Sequence, residues 1–153
     1  MGAAYFYHLT RARLEETLPL LLGKSLAAGW SVAVRGPDPD RLDWLDQALW
    51  QGPPDSFLPH GLAGGAHDAL QPILLLGEGG TAANDPSCLM TVEGAEVTAE
   101  DVAAMERVCV LFDGNDQQAV QRARDQWKLL TSAGCKAQYW SEDSGRWEKK
   151  AES

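Results

Sequence analysis

Pro72-Ile73-Leu74-Leu75-Leu76-Gly77 is the stretch that decides the fold. Four consecutive aliphatic residues between a proline and a glycine are too few for a stable helix and leave no polar face for solvent. A strand buried on both sides has this pattern, and such strands belong to parallel sheets covered by helices. The segments around it agree. Ala4 to Leu9, Trp30 to Arg35, Cys88 to Val92, Val108 to Phe112 and Ala137 to Ser141 read as further strands, the last in the chain. Helical stripes separate them. Leu14, Leu18, Leu21, Ser25 and Ala28 share one face before Gly29, with Pro19 predicting a kink or a late start. Asp38 caps a second helix, Pro39 takes its first position, and Leu42, Leu45 and Leu49 form its buried stripe. Thr98 caps a third, short helix through Ala104. A fourth runs from about Asp116 to Ala133, with Ala119, Ala123, Leu130 and Ala133 inward and Gly134 as its stop. Residues 51–71 read as loop with a short strand near Phe57 and Leu58, and residues 142–153 as a polar tail apart from Trp147. The expectation is one α/β domain over residues 1–153, a mainly parallel sheet with helices on both faces.

The chain of 153 residues carries 13 Lys and Arg against 22 Asp and Glu, a net charge of −9. A phosphate backbone is gripped by positive surface, so a body this acidic excludes broad direct binding to nucleic acid. The charge is unevenly spread. Residues 122–150 hold seven of the basic and four of the acidic residues, a local balance of +3, leaving −12 for the rest. Cys88, Cys109 and Cys135 have no C-x-x-C spacing, and the N-terminus places charges where a signal peptide needs apolar residues. No run approaches the roughly 18 apolar residues of a membrane span. A cytoplasmic protein is expected.

The chemical motifs are weak. Gly77-Glu78-Gly79-Gly80-Thr81-Ala82 follows a strand and matches G-x-G-x-x-A, the loop that brings a pyrophosphate to a helix N-terminus. Asn84-Asp85-Pro86 leaves that helix no room, and no G-K-[ST] follows; a nucleotide-dependent enzyme using Gly77 to Ala82 is the alternative function to be tested. His60 and His67 lack metal-site spacing, so no metal is expected, with His60 structural and His67 solvated. No serine or cysteine stands in a nucleophile motif. Glu15-Glu16 and Glu142-Asp143 read as solvated acidic pairs.

Two segments carry surplus aromatic or cationic residues. Leu42, Leu45 and Leu49 already account for the buried side of the second helix, so Trp44 and Trp50 exceed what one stripe buries and suggest a surface where a partner docks. On the fourth helix Gln117, Arg124 and Lys128 share a face beside the buried stripe, with Val120 and Trp127 on the boundary. Cations next to an aromatic edge suit a peptide that carries both acidic groups and an apolar side chain.

Arg41-Leu42-Asp43-Trp44-Leu45-Asp46-Gln47-Ala48-Leu49-Trp50 followed by Ser56-Phe57-Leu58-Pro59-His60-Gly61-Leu62 resembles the chi subunit family of bacterial DNA polymerase III. The order of elements is similar too: the aromatic Ala4 to Tyr7 start, the proline-flanked strand, Asp113-Gly114-Asn115-Asp116, then Ala123-Arg124 with Trp127-Lys128, and Ala133-Gly134 leading to Tyr139-Trp140. The resemblance implies a Rossmann-like three-layer sandwich without a working nucleotide loop and without a catalytic site or cofactor. It implies an accessory subunit of a DNA-directed DNA polymerase, a nucleotidyltransferase complex. That subunit joins the clamp loader, with the psi subunit where one exists, to single-stranded DNA-binding protein through the latter's acidic C-terminal tail. Contact with DNA is then mostly indirect. By position, the tail-binding residues implied are Arg124, Trp127, Lys128 and Val120, the last standing where some relatives carry lysine. The partner-subunit surface implied includes Trp50 and Phe57, with Trp44 beside them.

Overall fold

The computed structural model describes residues 2–51, 58–78, 82–142 and 146–152. Its strands are β1 (Ala3–Leu9), β2 (Val32–Gly36), β3 (His60–Leu62), β4 (Ile73–Gly77), β5 (Cys88–Thr91), β6 (Arg107–Asp113), β7 (Lys136–Ser141) and β8 (Glu148–Glu152). The helices are α1 (Leu14–Ala27), α2 (Pro39–Trp50), α3 (Ala99–Ala104) and α4 (Gln117–Ser132), with a single 3-10 turn at Asp68–Leu70. The strands form one sheet in the order β3-β4-β2-β5-β6-β1-β7-β8. Each pairing is parallel except the last, β7 with β8.

Burial on both faces explains the aliphatic run that opened the sequence. Ile73 and Leu75 of β4 face α1 and α2, packing with Leu18, Leu22, Leu42, Leu45 and Leu49. Leu76 faces the opposite layer, where Val102 of α3 and Ala123 and Leu130 of α4 cover Phe6, Val110 and Phe112. The sheet is thus sandwiched between two helical layers, as expected.

Four local readings are corrected. α1 starts at Leu14 with Pro19 inside it, so the proline does not delay the helix. The short strand of the 51–71 region is His60–Leu62, paired with β4, rather than the Phe57–Leu58 segment; Phe57 itself lies outside the described residues. Ala133 caps the C-terminus of α4 and is exposed, because the helix ends there before Gly134, at φ +89°, turns the chain. The strand that ends at Ser141 is not the last: Glu148–Glu152 folds back as an antiparallel edge strand, and Trp147 meets Tyr7 edge-on at 5.5 Å. The charged side chains of β8, Glu148, Lys149, Lys150 and Glu152, suit an edge exposed to solvent.

Two contacts set the strand ends against the helices. Gly114, between β6 and α4, lies so close to the His8 ring and the Leu9 carbonyl that any side chain would collide, and its N–H donates to that carbonyl at 2.6 Å. At the end of β2, Arg35 donates to both oxygens of Asp101 at 2.9 and 3.3 Å, while Asp101 also accepts from the Thr98 N–H that opens α3. Burial opposes ionisation of Asp101, but the Arg35 and Thr98 hydrogen bonds outweigh it and hold the carboxyl below the ordinary aspartate range. A depressed folded-state value means the stabilisation is present above the unfolded value of about 3.9 and is lost as pH falls through the folded one. Asp101→Asn is therefore expected to be less stable at pH 7 and to lose less stability on acidification below about pH 4. Denaturant titrations at several pH values check this; parallel pH profiles for both proteins would contradict it.

Candidate functional site

The sequence-derived cationic face lies along one flank of α4. Asp116 caps the helix by accepting from the Gln118 and Ala119 N–H groups at 2.9 and 3.4 Å, which fixes where the first turn begins. Ala123 and Leu130 then point into the core. At 100° per residue this places Trp127, Val120, Arg124 and Lys128 in succession around one side of the helix, moving away from the core. Arg124 and Lys128 are exposed, whereas Val120 and Trp127 are half-buried. Trp127 meets Phe6 edge-on at 5.4 Å and Tyr139 at 6.1 Å. Tyr139 in turn contacts Phe112 at 6.0 Å and hydrogen-bonds His8, so the flank has a rigid aromatic floor. The structure brings these four residues together as two cations beside an apolar, aromatic recess.

The tryptophans of α2 part company. Trp44 is 40% and Trp50 49% exposed, but they lie on opposite flanks of the Leu42, Leu45, Leu49 stripe. Trp44 lies under Arg41, whose guanidinium is 4.3 Å from the ring centre, and Arg41 donates to Glu93 at 2.9 Å. Trp50 stacks on His60 with ring centres 4.3 Å apart. His60 is buried, with Nδ1 at 2.6 Å from the Leu58 carbonyl and Nε2 at 3.1 Å from that of Asp46. Its role is to tie β3 to α2 and to seat Trp50. His67 is exposed. Among the described residues no cluster of three or more His, Cys, Asp or Glu residues is placed to hold a metal, and no helix is long and apolar enough to cross a membrane.

The nucleotide alternative meets two structural obstacles. Gly79 to Thr81 lie outside the described residues, but the chain beyond them makes a turn and enters β5, with no helix to receive a phosphate. Asn84 anchors that turn by donating to the Val32 and Gln71 carbonyls at 3.1 and 3.0 Å. The second obstacle is the β1–α1 turn. In open α/β sheets this turn and the helix behind it form an anion seat at the carboxyl ends of the strands. Here Glu142, which directly follows β7, fills it: one carboxylate oxygen accepts from the N–H groups of Thr10, Arg11 and Ala12 at 3.0, 2.8 and 2.8 Å. The expectation of a solvated Glu142 is therefore wrong, since the residue is buried. Its readable signal was position, an acid at the carboxyl end of a strand.

These features define a Rossmann-like α/β sandwich whose anion seat is closed by its own side chain and whose α4 flank exposes Arg124 and Lys128 beside Trp127. Residues 1–138 match the model of the family described as DNA polymerase III chi subunit, HolC, and the chain belongs to that family. It is thereby an accessory subunit of the polymerase that serves DNA replication. No curated protein matches the chain in a direct sequence search.

Removing the Glu142 carboxylate leaves three part-buried N–H groups without their acceptor, and hydrogen bonds to a charged group are each worth about 1.5–3 kcal/mol, partly recovered by water. Glu142→Ala is expected to cost about 2–3 kcal/mol in urea denaturation, with Glu142→Gln intermediate. A loss below about 0.5 kcal/mol would contradict the assignment.

Proposed function

We propose that this chain is a non-catalytic tether that binds the acidic C-terminal tail of single-stranded DNA-binding protein on the α4 flank and joins it to the clamp loader. The observation that supports this most is the pairing of exposed Arg124 and Lys128, one turn apart, with the half-buried Trp127 and Val120. The guanidinium and ammonium pair with the tail's acidic groups and terminal carboxylate, and the apolar side chain of the tail enters the recess against Trp127 and Val120. Valine at position 120 makes that side of the recess apolar rather than cationic.

Family membership supports the replication context, and the excess of acidic residues over most of the chain supports an indirect route to DNA. The Trp50 flank, with Phe57 and the more distant Trp44, is the surface assigned to a partner subunit, either psi or a clamp-loader component. Exposed ion pairs are worth about 0–1 kcal/mol each, so a single tail binds modestly and the several tails on coated DNA supply the hold.

A fluorescently labelled acidic peptide ending in Phe tests the reading by anisotropy. Wild type is expected to bind, with affinity falling as salt rises. The Arg124→Ala, Lys128→Ala double variant should bind roughly tenfold more weakly, the equivalent of about 1.4 kcal/mol. Absence of binding by wild type would overturn the function; full-strength binding by the double variant would overturn the site.

A further inference from the structure

Adjacent strands β1 and β6 send their following helices to opposite faces of the sheet, α1 to one layer and α4 to the other. That arrangement opens a crevice at the carboxyl ends of the two strands, the place where open α/β sheets take ligands. A cleft of about 530 Å³ lies there, within the size range of small-molecule sites. Arg122 and Gln126 line it from α4, on the flank opposite Arg124 and Lys128, and none of Val120, Arg124, Trp127 and Lys128 reaches it.

The groups lining the cleft differ in what they still have to offer. Its four acids are engaged: Glu93 by Arg41 at 2.9 Å, Glu15 by Arg13 at 3.6 Å, Asp113 by the Asn115 N–H and Asp116 by the α4 N-terminus. The anion seat of the β1–α1 turn is held by Glu142. Arg122, by contrast, makes no hydrogen bond or ion pair among the described residues. It lies across Gly94, where a side chain would strike its guanidinium, and Glu93 and Gly94 both take left-handed backbone angles, φ +54° and +85°, in the turn that receives it. Thr91, only 1% exposed, and Thr10 also line the cleft, and the buried Oγ1 of each has no partner. An unsatisfied buried hydroxyl is uncommon and marks a place where a further polar group fits. Val110, Phe112, Ala119 and Ala123 make the walls between these polar points apolar.

We propose that this crevice binds a small carboxylate with an apolar body, its charge paired with Arg122 and its body held between α4 and the end of β6. A phosphate group is disfavoured because the backbone donors that would hold a dianion already serve Glu142 and Asp116. One guanidinium satisfies one carboxylate in bidentate fashion.

Amide chemical shifts of the full chain, titrated with 4-phenylbutyrate, 4-phenylbutyramide and inorganic phosphate in turn, test this. The acid is expected to shift the amides of Gly94, Ala95, Asn115 and Ala119, and the uncharged amide to bind there about fivefold more weakly. Arg122→Gln, an exposed change that leaves the fold intact, should lower binding of the acid to the level of the amide. Equal binding of acid and amide, or unchanged binding by Arg122→Gln, would overturn the proposal. So would phosphate shifting the same residues as strongly as the acid, or the acid shifting only the Trp127 flank.

Discussion

The carboxylate of Glu142, held by three consecutive backbone N–H groups of the β1–α1 turn, is the interaction on which the rest of the molecule depends. It joins the carboxyl end of β7 to the start of α1 across the strand between them and satisfies donors that no helix or ladder reaches. In a nucleotide-binding sandwich the same donors hold a phosphate supplied from outside. Supplying the anion from within converts a ligand-dependent turn into a permanent one. The fold keeps the shape of a nucleotide binder and loses the seat that makes it one.

With that seat closed, the proposed recognition surfaces lie on the helix flanks. α4 serves both directions: its inner face packs Ala123 and Leu130 on the sheet, one flank shows Arg124 and Lys128 beside an aromatic floor, and the other carries Arg122 into the switch-point crevice. Rigidity matters more than bulk here. Trp127 is held by ring contacts with Phe6 and Tyr139, so the recess beside the cations is already formed in the chain by itself, and the proposed binding requires little ordering. Trp50 is likewise seated on a buried His60, whereas Trp44 is engaged by Arg41 on the far side of α2. Two tryptophans six residues apart thus belong to different surfaces, a distinction that surplus hydrophobicity alone does not draw.

The layered sheet was legible because its signals are local and repeated: Ile73 to Leu76 is buried on both faces, Asp38-Pro39 starts α2 and Gly134 ends α4. The flank of α4 was legible for the same reason, helical periodicity acting over four turns. What escaped depends on contacts distant in sequence. Glu142 finds its partners about 130 residues away, so its pattern in the chain is that of any exposed acid. β8 was hidden because an edge strand with one partner needs no apolar run, and Glu148 to Glu152 has none. Arg122 and Thr91 come together only when β5, β6 and α4 have assembled.

Hydrogen exchange at the backbone amides of Thr10, Arg11 and Ala12 tests the central claim most directly. These groups lie outside helix and sheet hydrogen bonding, so the Glu142 carboxylate is their source of protection. The account predicts slow exchange of all three at neutral pH, with protection lost together in Glu142→Ala while the amides of β1 stay protected. Exchange at the rate of an open loop in the unaltered chain would contradict it.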